Sequence, residues 1–387
     1  MGFSMPAEAH DDETRREALA REALAESIRA AGGWLDFERA MDLLLYAPGW
    51  GYYTGGARKF GQGGDFVTAP EISPLFGQCI AAAIAPVLAA TEGDVLEIGA
   101  GSGVLAVDLL TELAVLGALP RRYRILELST ELRERQRERF ESLPAELKSR
   151  IEFLHEPPRE AWRGALVANE VLDALPVQRF VTRDGQVFTR GASLAADGSP
   201  EWAERLASAA HADEVRRLFG EAALPEDYHS EWCPRLGAWL RAVTDKLERG
   251  IALFADYGLP RHEYYHPTRE RGTLRCHHRH RAHDDPWVHL ATQDITAWVD
   301  FTRVAEAADE AGLDVLGFTS QAAFLLATGI EARVASVTDV RARARLAHEA
   351  RRLLMPDEMG EVFKLIALGR GVDEPPGFHL RDLRNRL

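Results

Sequence analysis

The sequence predicts an α/β fold built on a mostly parallel sheet with helices on both faces. Three observations carry this. From residue 94 onward short apolar runs alternate with stretches of helical periodicity, the pattern of a parallel sheet. A glycine-rich turn joins the first of these strands to its helix. Two long interruptions, residues 176–250 and 259–310, each leave the carboxyl end of a strand, the edge where open α/β sheets bind ligands.

The elements follow in order. Arg15 to Ala30 places Leu19, Ala23, Leu24 and Ile28 at helical spacing and stops at Gly32-Gly33. A second helix is expected from about Asp36 to Leu45, ended by Pro48-Gly49. Pro48 to Gly64 carries seven glycines with Tyr52, Tyr53 and Phe60 between them, loop chemistry that suits a lid or a surface loop with packed aromatics. A buried helix is expected over Leu75 to Ala90. Seven strands are then expected at Val95–Ile98, Tyr123–Leu128, Ile151–Leu154, Ala165–Ala168, Ile251–Ala255, Val315–Phe318 and Val362–Leu368. Helices are expected at 104–116, 130–142 and 342–354. The first interruption opens with a hairpin, Arg179 to Arg190, turning at Asp184-Gly185, and continues with two helices. The second is rich in His and Arg.

Composition narrows the function. The 387 residues include 46 Lys and Arg against 60 Asp and Glu, a net charge of −14, with 46% apolar and 27% charged residues. That balance is ordinary for a folded soluble chain and argues against nucleic acid as partner. The longest apolar run, Cys79 to Ala90, is twelve residues with Pro86 inside it. A spanning helix needs about 20, so no membrane span is expected. Met1 to Glu17 is acidic and lacks the apolar stretch of a secretory signal. Cys79, Cys233 and Cys276 lie far apart, which fits a reducing compartment. A cytoplasmic location is expected, and a homodimer is left open.

Asp94-Val95-Leu96-Glu97-Ile98-Gly99-Ala100-Gly101-Ser102-Gly103 ends a strand in an acid and turns through three glycines into a helix. Glycines permit positive φ and close approach of a ligand, and a helix start offers unpaired N–H groups. A dinucleotide turn would need a small residue where Val104 stands, and no Gly-Lys-Ser/Thr is present for a P-loop. Glu-x-Gly-x-Gly-x-Gly resembles the S-adenosylmethionine turn of class I methyltransferases. Glu127 ends the next strand, 24 residues beyond Gly103, where an acid can accept both ribose hydroxyls. The alternative is a glycine turn kept for tight strand–helix packing.

Three further constellations stand out. Asn169-Glu170-Val171-Leu172-Asp173-Ala174-Leu175-Pro176 follows the fourth strand. Glu170 and Asp173, three apart, share one side of a helical turn and suit the planar donor fork of a guanidinium. Capping of a helix start by Asn169 is the alternative. Asp256-Tyr257-Gly258 ends the fifth strand and points at the same cleft, or forms a plain turn after a buried strand. Seven of the 13 His lie between 262 and 289, among them His277, His278, His280 and His283. One Cys and several Arg make this a poor metal site, and no metal is expected. A substrate-contacting loop or a solvated basic loop remains.

The chain resembles the DUF185, or MidA-like, family, relatives of the mitochondrial complex I assembly factor protein-arginine methyltransferase. The matching segments are Gly64-Asp65-Phe66-Val67-Thr68-Ala69-Pro70-Glu71-Ile72-Ser73, Glu97 to Gly103, Asn169 to Pro176 and Asp256-Tyr257-Gly258. Thr273-Leu274-Arg275, His280, Asp294 to Phe301, Gln321, Phe324-Leu325-Leu326, Gly329-Ile330, Met359-Gly360-Glu361 and Phe363-Lys364 continue the match to about residue 370. One departure is Trp298, where many members have His.

The resemblance implies a class I methyltransferase (Rossmann-like) fold, with a seven-stranded mostly parallel sheet, an N-terminal helical segment and two large insertions. The corresponding division is 1–60 helical segment and Gly-rich lid, 61–175 cofactor half, 176–250 insertion, 251–258 fifth strand, 259–310 substrate insertion, 311–370 rest of the core and 371–387 tail. S-adenosyl-L-methionine is the implied donor, bordered by Thr68, Glu71, Ser73, Glu97, Gly99, Gly101, Gly103, Glu127, Leu128 and Asn169. A protein arginine, for the mitochondrial members on a complex I subunit, is the implied acceptor. Glu170 and Asp173 would clamp it, with Asp256 as a further acceptor of protons, and Tyr257, Arg275, His280 and Asp300 would touch the substrate. Arginine keeps its proton to a pKa above about 12, so alignment and proton removal are the work of the carboxylates. The competing functions are methylation of a small molecule or an oxygen nucleophile, and an assembly chaperone that binds the donor for stability.

Overall fold

The computed structural model describes residues 7–55 and 68–387. The glycines from Gly56 to Gly64, Phe60, and the Gly64–Val67 part of the matched segment lie outside the described residues.

Among the described residues the central sheet has seven main strands, β1 (Asp94–Ile98), β2 (Tyr123–Leu126), β3 (Ile151–Leu154), β4 (Trp162–Asn169), β5 (Leu247–Leu259), β6 (Asp314–Ser320) and β7 (Phe363–Arg370). An eighth, unexpected from the sequence, is the two-residue piece Val299–Asp300, which pairs in parallel with the end of β5. The order of the seven is β3-β2-β1-β4-β5-β7-β6. β1 to β5 pair in parallel, and β7 runs antiparallel to both neighbours. β1 is buried along its whole length, because helices cover both faces and leave no solvent side for polar alternation. One core layer packs Phe76, Ile80 and Ile84 against Val95, Ile125 and Val167. The opposite layer packs Leu240 and Phe301 against Leu166, Phe254 and Ile366.

The helix Pro74–Thr91 is long and apolar enough to cross a bilayer. It lies instead in the core, with Leu75, Phe76, Cys79, Ile80 and Ile84 buried. The two N-terminal helices are Ala7–Ala30 and Phe37–Tyr46, the second capped by Asp36, whose carboxylate accepts the Arg39 N–H at 3.0 Å.

The insertions hold more strand than their sequence signals. The hairpin Gln178–Arg183/Gln186–Leu194 turns at Asp184-Gly185 as expected. Pro200–Leu206 and Tyr228–Trp232 add to its two edges, and Leu35–Asp36 pairs with it too. Pro200–Leu206 carries charges that hide its period; pairing with the long neighbour makes it a strand. Residues 275–296, expected as a loop, form three short antiparallel strands, Arg275–His278, Arg281–His283 and Asp294–Thr296. Their register sets His277 opposite Asp294, and buries Cys276 and Ile295 on the other face against the N-terminal helices.

Candidate active site

The parallel strands end at one rim, and a cavity of about 670 Å³ opens there. β1 delivers Glu97 to it. Glu97 is buried and accepts the Tyr123 hydroxyl at 2.7 Å. Burial pushes its carboxyl up to about 7 against the pull of that hydroxyl. The turn that follows has φ of 67° at Gly99, 52° at Gly101 and 80° at Gly103. A Cβ on Gly99 would stand 3.0 Å from Val171 Cγ2, so the turn presses directly on the segment after β4. The helix Val104–Val115 begins without a side-chain cap, leaving its first N–H groups for a ligand.

Glu127 stands just past β2. Its carboxylate accepts the Ser129 N–H at 2.9 Å and the Gln136 Nε2 donor at 3.2 Å. Gln136 Nε2 also donates to Gly101 O at 2.8 Å, so one amide ties the acid to the glycine turn. Nothing in the local sequence singles out Gln136. Leu128, Thr68 and Glu71 line the same end of the cavity, and the Ser102 hydroxyl donates to Glu71.

β4 ends in Asn169, and Glu170 takes a left-handed conformation with φ of 53°. That bend turns both Glu170 and Asp173 into the cavity. Asn169 Nδ2 donates to Glu170 Oε1 at 3.1 Å, and Tyr257 donates its hydroxyl to Asp173. Burial, then Asp173, pushes the Glu170 carboxyl up to about 8, and burial raises Asp173 to about 6. Asn169 Oδ1 and Asp173 Oδ1 are buried and find no hydrogen-bond partner among the described residues.

Five expected site residues take other places. Gly103 does not line the cavity, because the turn aims it at the helix Thr130–Phe140, where a Cβ would meet Phe140 at 3.1 Å and Gln136 at 3.2 Å. Asp256 is buried behind the turn, where its Oδ2 accepts the N–H groups of Val171 at 3.1 Å, Leu172 at 2.8 Å and Asp173 at 3.3 Å. It holds the turn and does not line the cavity. Ser73 caps the helix Pro74–Thr91 and donates to Glu349 at 2.8 Å, facing away. Asp300 caps the helix Phe301–Glu310 and pairs with Arg261 at 3.1 Å. His280, with φ of 62°, lies in the exposed tip between the strands Arg275–His278 and Arg281–His283. The carboxylates of Asp256 and Asp300 and the hydroxyl of Ser73 are thus spent on a local turn, cap or ion pair, and His280 faces solvent.

The His-rich loop holds the N-terminal helix. His278 and His289 stack at 4.0 Å and face Glu13 at 3.4 Å and Glu17 at 3.5 Å. Arg275, Tyr257 and Trp298 do line the cavity, and so do Tyr46, Tyr53 and Asp294, which site reasoning from the sequence passed over. The Arg269 guanidinium lies 5.1 Å over the Trp298 ring.

A sequence-family model described as "Putative S-adenosyl-L-methionine-dependent methyltransferase" matches residues 79–319. A structure from Burkholderia thailandensis, described as a "likely methyl transferase" bound to S-adenosyl-homocysteine, is 43% identical. It superposes with a TM-score of 0.93, covering 100% of both chains. The mitochondrial protein arginine methyltransferase NDUFAF7 of Homo sapiens is 28% identical, covering 85% of this chain and 78% of its own. Its Xenopus laevis counterpart is 28% identical over 84% of this chain and 78% of its own. These relatives are named mitochondrial, which corrects the expected cytoplasmic location. The sequence signals behind that expectation, scarce cysteines and a polar start, report on redox state and secretion and do not separate cytoplasm from an organelle interior.

Proposed function

We propose that this chain, which belongs to the family of S-adenosyl-L-methionine-dependent methyltransferases matched above, methylates arginine side chains of a protein. Its fold is that of a class I methyltransferase, and S-adenosyl-L-methionine is its donor. The residues present suit that donor. The glycine turn leaves room for close approach, Glu127 is oriented as a double acceptor, and Asn169 Oδ1 is a buried acceptor still open to a ligand. When bound, the donor supplies an electrophilic methyl on a sulfonium.

The observation that carries the arginine reading is the placement of Glu170 and Asp173 together, in the same cavity as the glycine turn. Two carboxylates accept the parallel N–H donors of a guanidinium and fix its nitrogen for in-line attack. As the nitrogen–carbon bond forms and the sulfur–carbon bond breaks, the nitrogen must lose a proton. Glu170, with its carboxyl raised to about 8 by burial, then Asp173, is suited to take it. Asp256 acts through the turn it anchors, as a positioning residue. The protein relatives named as arginine methyltransferases support a protein acceptor, and a respiratory complex I-type subunit is the finer proposal.

The test is an isotope-labelled methyl donor supplied to a cell lysate with wild type and Glu170→Gln. An alkali-resistant labelled protein band, lost in the variant while donor affinity persists, is the expected result. Label confined to small molecules overturns the arginine reading in favour of a small acceptor. Donor binding without any label favours the chaperone role. Unchanged labelling by the variant removes Glu170 from the chemistry.

A further inference from the structure

We propose that Asp294, Tyr53 and Tyr46 complete the acceptor half of the cavity and make it selective for a cationic side chain. This rests on the arginine reading above and adds the residues that set its charge preference.

The three residues reach the cavity from outside the methyltransferase core. Tyr46 ends the second N-terminal helix, Tyr53 follows a few residues on, and Asp294 begins the last strand of the 275–296 sheet. The Tyr53 hydroxyl donates to Asp294 Oδ1 at 2.8 Å, and the Tyr46 hydroxyl donates to Ala174 O at 2.9 Å. The two rings stack at 5.4 Å with 22° between their planes. Tyr46 is thereby pinned to the segment that carries Asp173, and Tyr53 to the insertion. Asp294 and Asp173 both add to the burial that pushes these phenols up, and Asp294 helps raise Glu170. The three acids therefore share one electrostatic environment, although they come from different parts of the chain.

The balance of charge favours a cation. Arg235, the guanidinium on the helix side, is engaged by Glu38 at 2.8 Å and Asp42 at 2.6 Å. Arg275 is engaged by Asp284 at 2.9 Å and by Leu274 O at 3.0 Å. His277 lies across the ladder from Asp294 and lines the same cavity. Glu170, Asp173 and Asp294 all line the cavity, and Asp173 Oδ1 is buried with no hydrogen-bond partner among the described residues. Carboxylates beside aromatic rings are the surroundings a guanidinium or ammonium group prefers.

The test uses the full chain loaded with S-adenosyl-homocysteine and three capped tripeptides, Gly-Arg-Gly, Gly-citrulline-Gly and Gly-Lys-Gly, titrated by calorimetry. Citrulline keeps the shape of arginine and lacks its charge. Wild type is expected to bind the arginine peptide about tenfold or more tightly than the citrulline one. Asp294→Asn should reduce that ratio about tenfold with unchanged affinity for S-adenosyl-homocysteine. Tyr53→Phe, which frees Asp294 from its hydroxyl, should change the ratio less. A merely structural role for Asp294 would weaken both peptides alike and leave the ratio intact, and that result overturns the inference. An unchanged ratio in Asp294→Asn with a collapsed one in Glu170→Gln overturns it too and leaves the arginine reading standing. Wild type that does not distinguish the peptides, or binds neither, overturns the arginine reading itself.

Discussion

Asp256 Oδ2 accepts the backbone N–H of Leu172 at 2.8 Å, across the gap between the ends of β4 and β5. The same oxygen takes the N–H groups of Val171 and Asp173, and Oδ1 takes that of Tyr257 at 2.9 Å. One carboxylate thus satisfies the start of the turn that carries Glu170 and Asp173. The carboxyl is pushed up by burial, by Asp173 and by Glu170, against the pull of its backbone donors.

Asp256→Ala should therefore cost stability as well as turnover. Leaving buried donors without an acceptor costs about 1–3 kcal/mol per group, so with the Val171, Leu172 and Asp173 N–H groups orphaned a loss of roughly 3 kcal/mol or more is expected in urea unfolding. Asp256→Asn keeps one acceptor oxygen and should recover part of the loss. Affinity for S-adenosyl-homocysteine should fall much less than kcat, because the glycine turn is built by β1. An Ala variant as stable as wild type would show that the turn holds without its anchor.

Glu170 gives a pH signature with a definite sign. Its carboxyl rises from 4.5 to about 8 through burial and the neighbouring Asp173. Below pH 4.5 it is protonated in both folded and unfolded chains and contributes no difference. Between 4.5 and 8 the folded chain holds a proton that the unfolded chain has lost, so this group lowers stability as pH rises. Above 8 the full penalty is present. Glu170→Gln should melt above wild type at pH 8.5, by roughly 3 °C or more, and the gap should close toward pH 4.5. Binding of a cationic peptide at pH 7 should expel close to one proton, read as a buffer-dependent binding enthalpy. No buffer dependence would mean that Glu170 is already ionised.

Donor affinity should depend on the Glu127 carboxylate and its orientation. Hydrogen bonds to a charged group contribute about 1.5–3 kcal/mol, so Glu127→Ala should weaken S-adenosyl-homocysteine binding roughly 10- to 100-fold. Gln136→Leu removes the amide that links this acid to Gly101 O, and should weaken binding less, since the Ser129 N–H remains. Wild-type affinity in Glu127→Ala would place the ribose elsewhere.

Much of the core was readable because its signals are local. β1 to β4 and the Ile251–Ala255 stretch of β5 show as short, mostly apolar runs, and the glycine turn needs residues that tolerate positive φ at 99, 101 and 103. The acceptor half was harder to read because it is assembled from a distance. Tyr46 and Asp294 are separated by most of the chain, and only the pairing of Arg275–His278 with Asp294–Thr296 brings that acid to the cavity. Asp256 shows the opposite limit. Its residue type and its place after a strand suggested chemistry, whereas the N–H groups it caps become visible only when β4 and β5 lie side by side.

Trp298 offers a last prediction, because the family resemblance of the sequence leads one to expect His there. Its ring lines the 670 Å³ cavity and also a second cavity of about 330 Å³ behind it. The Arg269 guanidinium covers the ring at 5.1 Å, and the Trp298 N–H donates to Thr273 Oγ1 at 2.9 Å. The backbone anchor is independent of the side chain, so Trp298→His should keep the segment in place. The smaller ring loses a cation–π contact worth about 0.5–1 kcal/mol at such a site and opens the wall between the two cavities. Affinity for S-adenosyl-homocysteine is expected to stay within about twofold, a margin smaller than the roughly tenfold that 1.4 kcal/mol would bring. The set of labelled protein bands in lysate should change, with larger neighbours of the acceptor arginine admitted. An unchanged band pattern with unchanged intensity would show that this wall has no part in choosing the acceptor.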